Sequence, residues 1–231
     1  MKTMRMNPKL LEYALAKFAE FKSHKKIKNY RYIIIVDYSI HSSRKRLFVY
    51  DRKVKIIIRS HHVAHGINSS AFREPGKAVK FSNKNMSKCS SIGAVATGGV
   101  YIGRFGRSVN LHGLEPGINN NMFKRRIVMH HSKYVNDDFI DRHGYIGRSW
   151  GCLAVDKAIW HKKSRQGGPL IDLVKNGVFC YLSDGNIKEL PKPIEKPKRK
   201  PKPIYEADTV KENILVLIFR LLSKFFSLFK R

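Results

Sequence analysis

Apolar residues recur along this chain with two different periods. In residues 8–22 Leu10, Leu11, Ala14, Leu15, Phe18 and Phe21 return at helical spacing, which predicts a helix with one apolar face. Asn7 suits the N-cap, and Pro8 suits the first turn, where its missing N–H costs nothing. Ser23–Arg31 reads as a basic connector. From there strand patterns dominate. Tyr32-Ile33-Ile34-Ile35-Val36 is a β-branched run short enough for a buried strand. Arg46–Tyr50 and Lys55–Ile58 flank Asp51-Arg52-Lys53 and predict a hairpin. Val63-Ala64-His65-Gly66 leads into residues 67–92, rich in Ser, Asn and Lys with little periodicity. A loop that long inside a domain is usually functional. Gly98-Gly99 and Gly103–Gly106 predict turns on either side of Val100-Tyr101-Ile102, and Val109–Leu111 and Arg126–Met129 read as strands. Ser132–Arg148 reads as a polar loop able to cover a cleft. Lys157–Lys163 and Pro169–Lys175 predict short helices, the second stopped by Asn176-Gly177, and Val178–Leu182 is the last strand. The fold class is α+β, mostly β.

The chemistry centres on Gly147–Asp156. There a thiol, Cys152, directly follows Gly151 in a turn that enters an apolar run. Glycine allows backbone conformations closed to other residues, so such a thiol can face a pocket. The thiolate is the reactive form and needs a base. Upstream, Ile127-Val128-Met129 ends in His130 and His131. A cysteine with a histidine distant in sequence is the layout of a thiol nucleophile, although a lone Gly-Cys pair also fits a small buried cysteine. The pattern predicts Cys152 as nucleophile and His130 as base. Ser149 would shape the turn, and the N–H groups of Gly151 and Cys152 would hold an oxyanion. Arg148 has the planar fork that matches a carboxylate.

Seven ordered segments extend this picture. They are Val36-Asp37-Tyr38-Ser39 with Ser43–Val49; Val63-Ala64-His65-Gly66; Phe81-Ser82-Asn83; Ser90-Ser91-Ile92-Gly93; Leu111–Asn119; Ile127–His130; and Gly147–Cys152. In these the chain resembles the YkuD-type L,D-transpeptidase family, and within it the murein L,D-transpeptidase catalytic-domain subgroup, over roughly residues 30–182. The resemblance implies a β-sandwich or barrel core with short helices. It also implies action on peptidoglycan stem peptides through a thioester, with transfer to a second stem's amine (3→3 cross-linking) or to water. Arg148, His131, His112 and Asn83 are the substrate-binding candidates. Where the wider family often has histidine before Gly-Cys, this chain has Trp150; where glycine usually follows the motif histidine, it has His131. Which of the two rings serves Cys152 stays open.

Charge and cysteine usage set limits. Lys and Arg number 46 against 17 Asp and Glu, a formal +29, which draws the chain to polyanions: nucleic acid, anionic lipid or bacterial wall. No helix-turn-helix, zinc-finger or RNA-binding signature accompanies the charge, so no specific nucleic-acid role is expected. Three cysteines, Cys89, Cys152 and Cys180, do not make a disulfide framework, and none stands in a C-x-x-C pair. Cys180 reads as core. Ten histidines make chance pairs common, and no His-Glu-x-x-His pattern occurs, so neither metal nor cofactor is expected.

The expected organisation is an N-terminal helix and connector over 1–29, a catalytic domain over 30–187, a Pro/Lys-rich linker over 188–204 and a cationic amphipathic helix over 205–231. In the last segment Arg220 and Lys224 interrupt the apolar run, which suits an interfacial helix on an anionic membrane better than a span. Met1–Asn7 is polar and no apolar core follows, so no secretion signal is expected. The expected site of action is the periplasm or wall, reached by release or another export route. Three roles compete: a wall-modifying transpeptidase, a hydrolase of the same fold acting as a phage lysin or delivered toxin, and a non-catalytic cationic binding protein.

Overall fold

Isoleucine and valine at consecutive positions bury both faces of a strand, and this places Ile33–Val36 at the heart of the molecule. The structure, a computed structural model, describes residues 6–161 and 168–187. Helix α1 (Pro8–Phe21) begins where Asn7 accepts the Lys9 N–H at 3.0 Å. Strands β1 (Asn29–Asp37), β2 (Leu47–Asp51) and β3 (Ile56–His61) form a meander. Strands β4 (Gly93–Gly103) and β5 (Gly106–Gly113) form a long hairpin. Strand β6 (Val128–Ser132), helix α2 (Asp137–His143) and strand β7 (Leu153–Asp156) follow, then α3 (Lys157–His161), α4 (Leu170–Val174) and β8 (Val178–Ser183).

Among the described residues the strands make one eight-stranded sheet in the order β3-β2-β1-β8-β4-β5-β6-β7. Pairs β1–β8 and β6–β7 are parallel, and the others antiparallel. One apolar cluster holds Ile34 and Val49 from β1 and β2 together with Met129, Leu153 and Val155 from β6 and β7. Residues from opposite ends of the sheet meet there, so the sheet curls around its own core. This curl is the form taken by the expected sandwich or barrel. The alternate residues Ile33 and Ile35, with Phe48 and Phe179, pack on the other face against Leu10, Ala14 and Phe18 of α1. Two buried faces explain why β1 reads as an unbroken apolar run instead of alternating.

Three expectations are corrected. Gly98-Gly99 is not a turn: β4 runs through it, with a register shift between Thr97 and Val100 against β5. A glycine pair inside a strand marks a bulge as readily as a turn. Strand β6 starts at Val128, two residues later than expected, because Arg126 has φ of 56°, outside strand geometry. The excursion between β6 and β7 contains α2, capped by the Asn136 side chain on the Phe139 N–H (2.8 Å) and by Gly144 at φ 76°. None of its residues is buried, so it lacks the apolar stripe that would announce it. No helix among the described residues is long and apolar enough to cross a membrane. The linker at 188–204 and the cationic helix at 205–231 lie outside the described residues.

Candidate active site

The nucleophile turn is built by Ser149. Its N–H is donated to the His65 carbonyl at 2.8 Å, and its carbonyl accepts the Ile67 N–H at 2.7 Å. Its hydroxyl donates to the Cys152 carbonyl at 2.7 Å and accepts the Gly151 N–H at 3.0 Å. One side chain thus closes the loop on both sides of Trp150-Gly151. Gly151 sits at φ 110°, and a Cβ there would come within 2.5 Å of the Cys89 carbonyl oxygen. Both the backbone conformation and the lack of space demand glycine. The oxyanion assignment is corrected here: the Gly151 N–H is already held by Ser149. The amide of Cys152 is the member of the expected pair not given to another group among the described residues.

Cys152 stands just before β7, two residues ahead of Ala154, and Ala154 is the register partner of His130 on β6. Paired residues share a face of the sheet, and so do residues two apart, so the pleat puts thiol and imidazole on one side. Both line a groove of about 460 Å³ with Phe105, Tyr134, Arg148 and Trp150. His130 is 1% exposed. Its Nδ1 lies 2.8 Å from the His131 carbonyl, which can only accept, so Nδ1 carries the proton and Nε2 is the basic nitrogen. Phe105, from the tip of the β4–β5 hairpin, stacks on the ring at 4.1 Å and 13°.

Burial governs the protonation of both groups. It pushes the Cys152 thiol up, against the opposing pull of the Val128 amide and the Arg125 guanidinium. It pushes His130 down, opposed by the His131 carbonyl. The resting pair is therefore neutral thiol and neutral imidazole, a nucleophile holding its proton beside a base able to take it. Alkylation of Cys152 by iodoacetamide, followed by mass spectrometry, is expected to accelerate about tenfold per pH unit from about pH 6 to about pH 9. A rate already level at neutral pH would mean a resting thiolate. Cys89 and Cys180 are buried and do not compete.

Three of the four substrate-binding candidates lie outside the groove. His131 packs edge-on against His161 at 4.8 Å and does not line the groove. His112 stacks on Phe123 at 4.6 Å. Asn83 donates to Asn120 Oδ1 at 2.9 Å and accepts the Asn121 N–H at 3.1 Å, tying two loops together. Arg148 lines the groove, with its guanidinium 5.8 Å from the Tyr145 ring.

This groove, with a thiol after a glycine at positive φ and an imidazole on the neighbouring parallel strand, lies wholly within residues 2–182, the span that matches the L,D-transpeptidase catalytic domain family. The chain belongs to that family. The family is enzymatic and acts on peptidoglycan. Two solved structures are similar to the L,D-transpeptidase domain. One is the helical cell shape determining protein Pgp2 (K307A mutant) from Campylobacter jejuni, at 11% identity and a TM-score of 0.41, covering 78% of this chain and 57% of that one. The chain thus spans just over half the length of that relative. The other is an L,D-transpeptidase (residues 123–326) from Xylanimonas cellulosilytica, at 12% identity and a TM-score of 0.32, covering 77% and 81%. No curated protein matches the chain.

Two residues of the transpeptidase groove escape a reading by motif. Arg125 donates to the carbonyls of Ser82 and Cys89 at 2.7 Å each, and to the hydroxyls of Ser91 (2.8 Å) and Ser87 (3.1 Å). It ties the 82–91 segment to the turn that enters β6. Phe105 reaches His130 from a hairpin tip 25 residues upstream in sequence. Neither belongs to a periodic pattern. The one hint at Phe105 is an aromatic side chain inside a glycine-flanked turn.

Proposed function

We propose that this L,D-transpeptidase domain is a cysteine acyltransferase that cuts stem peptides after the L-centre of the third residue and passes the acyl group to a second amine. The observation that supports this reading is the shared groove of Cys152 and His130, with His130 Nδ1–H committed to a carbonyl and Nε2 left as acceptor. In the first step His130 Nε2 takes the thiol proton as sulfur bonds to the carbonyl carbon. The carbonyl oxygen becomes negative and takes the Cys152 N–H; one such donor is worth about 3 kcal/mol. The C–N bond then breaks, the imidazolium returns its proton to the leaving D-amino acid, and a thioester remains. In the second step the acceptor amine attacks the thioester, His130 takes the amine's proton and returns it to the departing sulfur.

The groove walls suit a substrate bearing carboxylates. Lys88, Arg104, Arg125, Arg126 and Arg148 line it, and no Asp or Glu does so among the described residues. Arg125 is spent on the 82–91 segment, whereas Arg148 has the guanidinium fork that pairs with a carboxylate in two parallel bonds. Trp150 is 66% exposed at the rim, with Lys88 Nζ 4.5 Å above its ring, and offers a flat apolar platform beside the cations. Such a substrate places the enzyme's work in the periplasm or wall.

Incubation with tetrapeptide-bearing muropeptides, with products weighed by mass spectrometry, tests the proposal. Cross-linked dimers lacking one D-alanine are expected. Tripeptide alone would replace transfer by hydrolysis, and unchanged substrate would remove the enzymatic reading.

A further inference from the structure

One costly buried group lies outside the groove. Arg46 is fully buried, and burial pulls its guanidinium down to about 10, which leaves it charged at neutral pH. Its hydrogen bonds go to the Val63 carbonyl (Nε 3.0 Å, Nη2 2.9 Å), to the Ile40 carbonyl (Nη1 3.0 Å) and to His65 Nδ1 (Nη2 2.7 Å). A buried cation whose hydrogen bonds go to carbonyls and an imidazole, with the Asp37 carboxylate acting only through space and the Tyr38 ring 5.3 Å away, is an expensive arrangement.

That charge fixes the polarity of every hydrogen bond between Arg46 and the groove. Arginine can only donate, so His65 Nδ1 accepts and His65 Nε2 carries the proton. Burial and the neighbouring Arg46 and Arg148 push this imidazole down to about 3, so it is neutral. His65 Nε2–H donates to Ser70 Oγ at 3.0 Å, and the Ser70 hydroxyl spends its one proton on the Pro75 carbonyl at 3.2 Å. The second lone pair of Ser70 Oγ faces Arg148 Nη1 at 3.5 Å. Arg148 lines both the catalytic groove and a second cavity of about 660 Å³ bounded by Ile67, Ser70, Phe72, Lys80 and Phe81. The same His65 accepts the Ser149 N–H on its carbonyl.

We propose that Arg46, His65 and Ser70 form a positioning relay that holds the Arg148 guanidinium at the junction of the two cavities and ties it, through the His65 carbonyl, to the nucleophile turn. The inference rests on the reading of Arg148 as a substrate-facing residue. The relay imposes a direction. Because each proton on the path from Arg46 Nη2 through His65 Nε2 to the Ser70 hydroxyl is committed, Ser70 can offer Arg148 only a lone pair, and Arg148 keeps its remaining N–H groups for a ligand. His65 and Ser70 are positioning residues and touch no reacting atom.

The test combines turnover of tetrapeptide muropeptides with a measurement that needs no substrate. Ser70→Ala is expected to raise KM about three- to tenfold, the worth of one modest hydrogen bond, with little change in kcat. Arg148→Ala should raise KM at least as much, and the double variant should match Arg148→Ala alone. His65→Gln, whose amide offers one acceptor and one donor, should restore values close to the unmodified protein, whereas His65→Leu should not. In the ¹⁵N spectrum of the substrate-free protein, the Arg148 Nε–H resonance should move in Ser70→Ala and His65→Leu and stay in place in His65→Gln. Independent, additive KM effects of Ser70→Ala and Arg148→Ala, or an Arg148 resonance indifferent to Ser70→Ala, would overturn the relay. If the unmodified protein turns over no muropeptide, the proposed reaction fails, and the Arg148 resonance still decides the relay by itself.

Discussion

Cys152→Ala is expected to lose both cross-linked and hydrolysed products, by at least about four orders of magnitude in kcat, the scale seen when a covalent nucleophile is removed. The loss should come without unfolding. Cys152 is only partly buried, and its sulfur makes one weak contact, to the Arg126 carbonyl at 3.8 Å. Exchanging a thiol for a hydrogen there should change stability by less than about 1 kcal/mol. The measurement is muropeptide mass spectrometry alongside a thermal melt of the same preparation. A Cys152→Ala protein that melts normally and still forms tripeptide or dimers would refute the nucleophile assignment outright. Cys152→Ser is the sharper companion: it keeps shape and polarity but replaces the thiol with a far weaker acid, so it too should be inactive.

The second large effect concerns stability. Arg46→Leu should destabilise the fold by about 3–5 kcal/mol, because it strands the Val63 and Ile40 carbonyls and His65 Nδ1 without a donor in a site closed to water. For a domain of this size that lowers the melting temperature by on the order of 10 °C. Urea or thermal unfolding followed by circular dichroism measures it. Arg46→Lys keeps the charge but not the planar fork, and should fall between the two. An Arg46→Leu protein as stable as the original would mean that the buried guanidinium adds no net stability over an apolar side chain.

How far the sequence could lead is visible in particular residues. Ile33–Val36 and Val178–Leu182 announced their strands because a buried strand needs little beyond β-branched and apolar side chains. Gly98-Gly99 misled, because glycine marks a bulge and a turn alike. Helix α2 stayed hidden, because a seven-residue helix with no buried side chain leaves caps but no period. At the site, Cys152 and His130 stood out through residue type and neighbours. The choice between His130 and His131 as the ring in the groove needed the pleat, which sends adjacent side chains to opposite faces. The Gly151 amide reads as an oxyanion donor because nothing in the letters tells that the Ser149 hydroxyl turns back onto it. Arg46, His65 and Ser70 are spread over 25 positions and meet through the β2–β3 pairing and the turn that leaves β3, so no motif spacing links them.

The parallel pairing of β6 with β7 carries a consequence for how such enzymes diverge. Parallel neighbours require the chain to leave one end of the sheet and return to the other, and here that excursion occupies the residues between Ser132 and Leu153. It supplies Tyr134, Arg148 and Trp150 to the groove. Insertions or deletions in it can therefore reshape what the enzyme accepts, while the ladder on either side keeps sulfur and imidazole at a constant offset. Selectivity and reactivity are inherited on separate stretches of chain, and the first can drift a long way before the second is touched.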